Sequence, residues 1–481
     1  MDSRIGRTSI AGRSVRALAL LGLVALMAGC NHDGGGGDSG PAGPRFLYFQ
    51  ANDGASGAEL WRTDGSDAGT VLVKDINPGA GNSTPGALTV FNGALYFAAA
   101  DGTSGSELWK SDGTDAGTVL VKDISAGVGG SGPMSFVNGS VAFNGALYFS
   151  ANDGTSGSEV WKTDGTDAGT VRMKDVNPGA NGSSPYQFTV FNGALYFVGF
   201  SSGLGADDEM WKSDGTDAGT VRLKDINPGI ASASPFGLTV FNGAIYFQAN
   251  DGTTGTELWK TDGTDAGTVR VKDINPGAGG SGPTGFTVYN GALYFQASDG
   301  TSSFELWKSD GTGAGTVRVK DINPGVGSSG PTGFTVYNGA LYFAADDGTS
   351  GLELWKTDGT DAGTVRVKDI NPGAAGSAPS GLTVLNGMLY FAAGDAASGR
   401  ELWKSDGSDA GTVLVKDINA GVNGSSPGAF RVYNGALYFA ANDGASGVEL
   451  WKSDGSDAGT ARVKDINPGA GNSVPNALTP F

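Results

Sequence analysis

The sequence predicts an all-β fold, a β-propeller of about nine four-stranded antiparallel blades. Two observations lead to this prediction. First, the nine tryptophans recur at intervals of 48 residues, with four extra residues before Trp161 and two before Trp211. Second, each unit contains four short segments in which apolar residues alternate as they do in half-buried strands. Four strands in a unit of this length are typical of one propeller blade.

The four segments of a unit are well represented by "ALTVFNG", "ALYFAAAD", "ELWKSD" and "TVLVKDI", which lie between residues 87 and 124. Asn92-Gly93 predicts a type I′ hairpin turn between the first two segments, and Asp64-Gly65 is a turn signal of the same kind. The 84 glycines and the absence of helical periodicity after residue 30 disfavour helices. Two alternatives stay open: a β-solenoid, whose coils are usually shorter, and an array of small domains, for which each unit offers a thin core.

The two ends of the repeat region predict a closed ring. The chain enters the repeats in mid-unit, at "RFLYFQAND" from residue 45, and leaves them at "NALTPF", where a further "LYF" segment is due. We therefore expect "ALTPF" to pair with the strand around Leu47 to Phe49. Such a shared blade closes the ring and removes the exposed sheet edges that favour aggregation.

The loop before each tryptophan carries the motif A-x-D-x-x-S-G-x-E-x-W. It resembles the tryptophan-docking motif of quinoprotein dehydrogenase propellers, which implies that the indole packs between blades and that Asp53 and Gly57 hydrogen-bond within the loop. The motif is incomplete before Trp211, and Ser303 replaces its glycine before Trp307, so we expect docking to differ there. A recognition platform for ligands is the alternative role for these side chains. The residues expected to pack between blades are Trp61, Trp109, Trp161, Trp211, Trp259, Trp307, Trp355, Trp403 and Trp451.

A second resemblance covers the whole repeat region. The segments "ELWRTDGS", "ELWKSDGT" and "ELWKTDGT", which begin at Glu59, Glu107 and Glu257, resemble the bacterial ELWxxDGT repeat family, also described as hyalin-like. This resemblance implies an exported or surface-attached protein. It implies no particular activity.

The first 44 residues have a different composition. Residues 1–29 combine four arginines with the apolar run "ALALLGLVALMAG", which is too short for a spanning helix and typical of a signal peptide. "LMAGC" resembles a bacterial lipobox, which implies acylation of Cys30, the only cysteine, and delivery to the outer membrane or cell surface. Residues 30–44 then form a Gly-rich tether, and residues 45–481 form the propeller. An ordinary secretory peptide with an incidental cysteine is the alternative.

Composition excludes several kinds of chemistry. The formal net charge of −18 disfavours nucleic-acid binding. The single histidine, His32, lies in the tether, so the repeats offer no Ser/His/Asp triad and no His-ligated metal. Carboxylates remain, but most of them recur in every unit. The repeat is broken at Met134 to Gly145 and again at "GLGADDEM", where Asp207, Asp208 and Glu209 form the candidate unique site.

These observations lead to an expected function. We expect a lipid-anchored protein of the cell envelope that is not an enzyme and binds protein or glycan through many similar loops, which gain avidity together. The alternative is a carboxylate-dependent hydrolase on a propeller scaffold, and a structural role as an envelope spacer also stays open. No cofactor is expected, although the oxygen-rich loops "DINPGAGNSTPG" and "ANDGTSGSE" could bind Ca²⁺.

Overall fold

The computed structural model describes residues 45–133, 139–202, 207–229 and 231–481. These residues form 36 strands, which assemble into nine four-stranded antiparallel sheets in a ring. The prediction of a nine-bladed propeller is therefore confirmed. The signal peptide, Cys30 and the tether, which were predicted for residues 1–44, lie outside the described residues.

The strands of each blade are short and regular. The first four blades contain β1 (Leu47–Asn52), β2 (Ala58–Thr63) and β3 (Val71–Lys74); β4 (Gly86–Phe91), β5 (Ala94–Ala100), β6 (Ser106–Ser111) and β7 (Val119–Lys122); β8 (Ser140–Phe143), β9 (Ala146–Asn152), β10 (Ser158–Thr163) and β11 (Val171–Lys174); β12 (Tyr186–Phe191), β13 (Ala194–Ser201), β14 (Asp207–Ser213) and β15 (Val221–Arg222). Blades five to seven contain β16 (Phe236–Phe241), β17 (Ala244–Asn250), β18 (Thr256–Thr261) and β19 (Val269–Lys272); β20 (Thr284–Tyr289), β21 (Ala292–Ala297), β22 (Glu305–Ser309) and β23 (Val317–Lys320); β24 (Thr332–Tyr337), β25 (Ala340–Asp346), β26 (Leu352–Thr357) and β27 (Val365–Lys368). Blades eight and nine contain β28 (Ser380–Leu385), β29 (Met388–Asp395), β30 (Gly399–Ser405) and β31 (Val413–Lys416); β32 (Gly428–Tyr433), β33 (Ala436–Asn442), β34 (Val448–Ser453) and β35 (Ala461–Lys464). The last strand, β36 (Asn476–Pro480), completes blade one.

The two ends of the repeat region close the ring as the sequence predicted. β36 pairs with β1 antiparallel, with Leu47 opposite Pro480 and Tyr48 opposite Thr479. Phe46 and Phe481 extend the pairing, because the backbone N–H of each donates to the carbonyl of the other. Blade one therefore has four strands like its neighbours, and β1 is paired on both sides.

The inner strand of each blade lines the centre of the ring. In blades two to nine it is the first strand of the sheet along the chain, and in blade one it is β36. The inner strands of neighbouring blades contact one another. Because the strands are antiparallel, the loops between the second and third strands lie on the same face as the connections between blades. We call this the loop face. The opposite face carries hairpin turns such as Asn92-Gly93, whose φ angles of 46° and 74° fit the predicted type I′ turn.

The hydrophobic core is divided into nine clusters, one at each interface between blades. Between blades two and three, for example, Trp161 of one blade packs with Leu108 and Val121 of the other. Each cluster contains one tryptophan from the third strand of a blade. Since the alternating strands give every blade two apolar faces, burial of both requires a neighbour on each side.

Ion pairs connect neighbouring blades at the surface. The ammonium group of Lys174 lies 2.8 Å from the carboxylate of Asp217, and Lys464 and Asp67 make the equivalent pair across the closing interface at 3.0 Å. Their aspartates are about three-quarters exposed, so each pair contributes little to stability. The apolar clusters therefore contribute most of the stability of the ring.

Candidate functional site

A buried glutamate connects the third strand of each blade to the loop that leads to the next blade. In blade three, Glu159 accepts hydrogen bonds from the backbone N–H groups of Val176 (2.9 Å) and Asn177 (3.1 Å) and from the hydroxyl of Ser183 (2.6 Å). Burial raises the pKa of Glu159, and these hydrogen bonds oppose that shift. The same glutamate–serine bond occurs in eight blades, with the pairs Glu59–Ser83, Glu107–Ser131, Glu159–Ser183, Glu257–Ser281, Glu305–Ser329, Glu353–Ser377, Glu401–Ser425 and Glu449–Ser473.

Blade four lacks this bond. Ala233 stands where the other eight blades have serine, so Glu209 has no hydroxyl donor. Its Oε1 accepts two long backbone hydrogen bonds, from Ile226 (3.2 Å) and Asn227 (3.3 Å), and its Oε2 has no hydrogen-bond partner among the described residues. Burial is the main cause that raises the pKa of Glu209 to about 8. This carboxyl group is therefore the least stabilised of the nine buried glutamates.

Two further carboxylates lie beside Glu209. Asp207 occupies the position at which seven blades have glycine, and its side chain is buried against the guanidinium of Arg222 at 3.5 Å. Arg222 also lies 3.0 Å from Asp225. One carboxylate oxygen from each of Asp207, Glu209 and Asp225 lies within 4.8 Å of the others. We call these three residues the blade-four carboxylate cluster.

The sequence had grouped Asp207, Asp208 and Glu209 as the candidate unique site. The structure brings Asp207 and Glu209 together, because alternate residues of a strand point to the same side of the sheet. Asp208 points to the other side, where burial and the charge of Asp208 raise the pKa of Tyr186 to about 12. Asp225 was missed because an aspartate stands at this position in every blade. The missing serine at position 233 was the signal that could have singled out this blade.

The oxygen-rich loops of ordinary blades use their carboxylates internally. In blade three, Asp153 accepts hydrogen bonds from the backbone N–H groups of Thr155 (2.9 Å) and Ser156 (2.7 Å) and lies 3.4 Å from Arg172. Burial raises the pKa of Asp153, but the hydrogen bonds outweigh this effect and lower the pKa to about 2. Asp153 therefore has its partners within the protein, whereas Asp175, which follows the fourth strand as Asp225 does in blade four, has one buried oxygen without a hydrogen-bond partner among the described residues. Blade four differs in that Asp207 and Glu209 each also have such an oxygen.

The tryptophans are buried between blades, with relative exposures of 3% to 7%. Trp211 stacks on Phe197 with ring centroids 6.4 Å apart, and its indole N–H donates to the carbonyl of Gly199. Trp307 packs with Leu258 and other apolar residues of the preceding blade. The incomplete motifs before Trp211 and Trp307 thus do not prevent their packing.

A cleft of about 540 Å³ opens at the inner ends of blades one to three, where the inner strands β36 and β4 begin and where residues 132 and 133 lead towards β8. None of its ten lining residues is charged. Amide and hydroxyl groups are supplied by Gln50, Thr84, Ser106 and Asn476, and methyl or ring carbons by Ala87, Ala98, Ala477 and Pro133. The cleft lies beside the first break in the repeat, where β8 has four residues while the other inner strands have five or six. Residues 134–138 of that break lie outside the described residues.

Known proteins show a distant structural likeness to this chain. No protein-family model and no curated protein matches the sequence. The chain is similar to solved structures of a puromycin hydrolase (13% identity, TM-score 0.39), of prolyl endopeptidases (12%, 0.42) and of a Mycobacterium tuberculosis puromycin-hydrolyzing peptidase (12%, 0.40). Each match covers 74% of this chain and between 54% and 58% of the other chain, so this chain spans little more than half the length of those proteins.

These comparisons correct one expectation from the sequence, that the protein is not an enzyme. The solved structures that it resembles are peptidases. A propeller fold therefore gives no ground for excluding catalysis, since one fold hosts many functions. At these identities and TM-scores the likeness assigns no activity to this chain.

Proposed function

We propose that this protein is a binding propeller that takes up a glycan in the cleft at the inner ends of blades one to three. The observation that carries the proposal is the cleft itself. Its volume lies in the usual range for ligand pockets, and its lining combines apolar carbons with a few amide and hydroxyl groups. An uncharged, hydroxyl-rich ligand suits such a lining better than a charged one.

The repeats support a multivalent form of this function. Each blade presents similar Gly-, Asn- and Ser-rich loops on the loop face, so a long glycan or a repetitive protein would meet related surfaces from blade to blade. Weak contacts that are linked in this way gain overall affinity. The cleft then serves as the principal subsite, and the remaining loops add contacts of lower affinity.

The proposal includes attachment to a membrane. Acylation of Cys30 would place the propeller at the surface of the bacterial cell envelope, with residues 30–44 between the lipid and the repeats. A surface-attached binder of glycan or protein fits the acidic composition, because a net negative charge favours solubility.

A glycan array with the purified protein tests the binding function. Ala98→Gln fills the cleft with a side chain that the repeat tolerates, since Gln50, Gln248 and Gln296 stand at equivalent positions. Ala440→Gln in blade nine is the matched control, because Ala440 is also half-buried but lines no cleft among those described. We expect Ala98→Gln to reduce binding at least tenfold and Ala440→Gln to leave it unchanged. Equal binding by both variants would contradict the proposed site.

A second candidate function is hydrolysis by the blade-four carboxylate cluster. The observation that favours it is a carboxyl group with a pKa of about 8, Glu209, beside Asp207. Burial raises the pKa of Asp207 above its ordinary value, and the guanidinium of Arg222 opposes that shift and favours the ionised form. A protonated acid next to an ionised carboxylate is the pair that glycosidase-type hydrolysis requires. Both side chains are buried, so substrate must pass between the loops to reach them. Turnover of a panel of chromogenic glycosides that is lost in Asp207→Asn would support this candidate.

A further inference from the structure

Blade four differs from the other eight blades in two substitutions that act on the same place. Ala233 removes the hydroxyl that elsewhere donates to the buried glutamate, and Asp207 adds a carboxylate where a glycine or, in blade six, a serine stands. One substitution frees an oxygen acceptor, and the other brings in more acceptors. Both changes therefore increase the number of carboxylate oxygens that lack a donor.

The resulting oxygens are buried and without partners. Asp207 is 1% exposed and Glu209 is fully buried. Oδ2 of Asp207 and Oε2 of Glu209 have no hydrogen-bond partner among the described residues. In the other eight blades, the equivalent glutamate oxygen accepts a hydrogen bond from serine. Buried polar groups normally have partners, so two bare oxygens side by side point to a ligand that supplies positive charge.

The charges around these oxygens also favour a positively charged ligand. In blade five, Arg270 lies between two carboxylates, those of Asp251 and Asp273. In blade four, Arg222 lies between Asp207 and Asp225 in the same manner, but Glu209 with its bare oxygen lies beside them. Arg222 thus pairs with two of the three acidic groups, and the third, Glu209, lacks the hydroxyl donor that Ser281 gives to Glu257 in blade five.

We propose that Asp207, Glu209 and Asp225 bind a calcium ion beneath the loop face of blade four. Calcium–oxygen distances of roughly 2.3–2.6 Å place the ligand atoms of one ion up to about 5 Å apart. The 4.8 Å limit among the three carboxylate oxygens is compatible with that spacing. The donors are all hard oxygens, with no thiolate or imidazole, which favours Ca²⁺ over Zn²⁺ or Cu²⁺. The irregular set of ligands suits Ca²⁺ better than Mg²⁺, which requires near-octahedral geometry.

This inference is independent of glycan binding, because the carboxylate cluster and the cleft share no residue. The cation would connect the third strand of blade four to the loop that follows β15, which is the connection that the glutamate–serine bond makes in the other blades. The ion thus replaces a hydrogen bond that this blade has lost, and it stabilises the blade at the same point.

Calcium titration of the full-length protein after chelation and dialysis tests the inference. We expect calorimetry to show one saturable site per chain, and Tb³⁺ to give luminescence sensitised by Trp211, which lies two residues after Glu209 on the same strand. Two variants should each lower the affinity for Ca²⁺ at least tenfold. Asp207→Ser introduces the residue of blade six, and Ala233→Ser supplies the missing donor to Glu209, so both should fold.

Ser183→Ala is the matched control. It removes the hydroxyl donor to Glu159 in blade three, where Oε2 keeps the backbone hydrogen bond from Val176 and no additional aspartate stands. It should therefore leave the stoichiometry at one ion per chain. A wild-type protein that shows no saturable Ca²⁺ binding would overturn the inference. So would equal affinities in the wild type, Asp207→Ser and Ala233→Ser.

Discussion

The glutamate–serine bond can be tested by removing its hydroxyl in an ordinary blade. Ser183→Ala deletes the donor that lies 2.6 Å from Oε2 of Glu159, while the two backbone hydrogen bonds to that carboxylate remain. The change creates no steric problem, because Ala233 occupies the same position in blade four. The variant therefore isolates the contribution of one buried hydrogen bond.

The expected loss follows from the environment of Glu159. A hydrogen bond to a charged group contributes about 1.5–3 kcal/mol to the free energy of unfolding. For a ring that unfolds as one unit of this size, an unfolding entropy of about 2.1 cal/mol/K per residue gives roughly 0.9 kcal/mol per kelvin. We therefore expect the unfolding midpoint to fall by about 2–3 °C at neutral pH.

The loss should also depend on pH. Burial raises the pKa of Glu159 in the folded protein above its value in the unfolded chain. The free energy of unfolding therefore falls as the pH rises from the unfolded pKa to the folded pKa, because Glu159 must ionise in a buried position. The serine hydroxyl stabilises the ionised form, and its removal raises the folded pKa further. Ser183→Ala should therefore differ from the wild type more at pH 8 than at pH 4.

Thermal unfolding at several pH values provides the measurement. The matched control is Ser184→Ala, which changes the adjacent exposed serine and copies Ala378 of blade seven. The control should shift the midpoint by less than about 1 °C, as surface substitutions usually do. If Ser183→Ala behaves like the control at every pH, the buried glutamates do not stabilise the interfaces as argued above.

Four further predictions follow from the same structure. Trp355→Ala should lower the free energy of unfolding by about 3–5 kcal/mol in chemical denaturation and leave glycan binding intact below the midpoint, because the indole is buried between blades; lost binding with unchanged stability would make it a recognition platform. Lys464→Ala should cost less than about 1 kcal/mol, and the cost should vanish in high salt, because its partner Asp67 is exposed. Burial raises the pKa of Asp347, but hydrogen bonds outweigh this effect and lower the pKa to about 2. Ionised Asp347 should therefore stabilise the protein above about pH 4, and this contribution should be lost as the pH falls through about 2. Acid titrations of the unfolding midpoint should show this loss in the wild type and not in Asp347→Asn. Cys30→Ser should abolish incorporation of radiolabelled fatty acid and release the protein from membranes; retained label would rule out acylation at that residue.

The unique site could be predicted only in part. Asp207 and Glu209 were visible because they interrupt a repeat, and residues two apart on a strand share a face. Asp208 was grouped with them by adjacency alone, and its side chain lies on the opposite side of the sheet. Asp225 and Arg222 recur in other blades, so no sequence signal distinguished them. Their role depends on Ala233, which stands where the other blades have a serine hydroxyl. The effect of that difference can be recognised only when the structure places residue 233 beside Glu209.

The sequence by itself determined the architecture of this protein. The spacing of the tryptophans gave the number of blades, the alternating segments gave four strands to each blade, and the incomplete units at the two ends gave the pairing of β36 with β1. These features are local or periodic, so a pattern along the chain is enough to reveal them. The tertiary structure alone decided which carboxylates meet, which oxygens lack donors and where a cleft opens. Those features depend on contacts between residues that are far apart in the chain, such as Glu209 and Asp225, which are 16 positions apart. The distance between two such side chains is set by tertiary packing rather than by their spacing in the sequence.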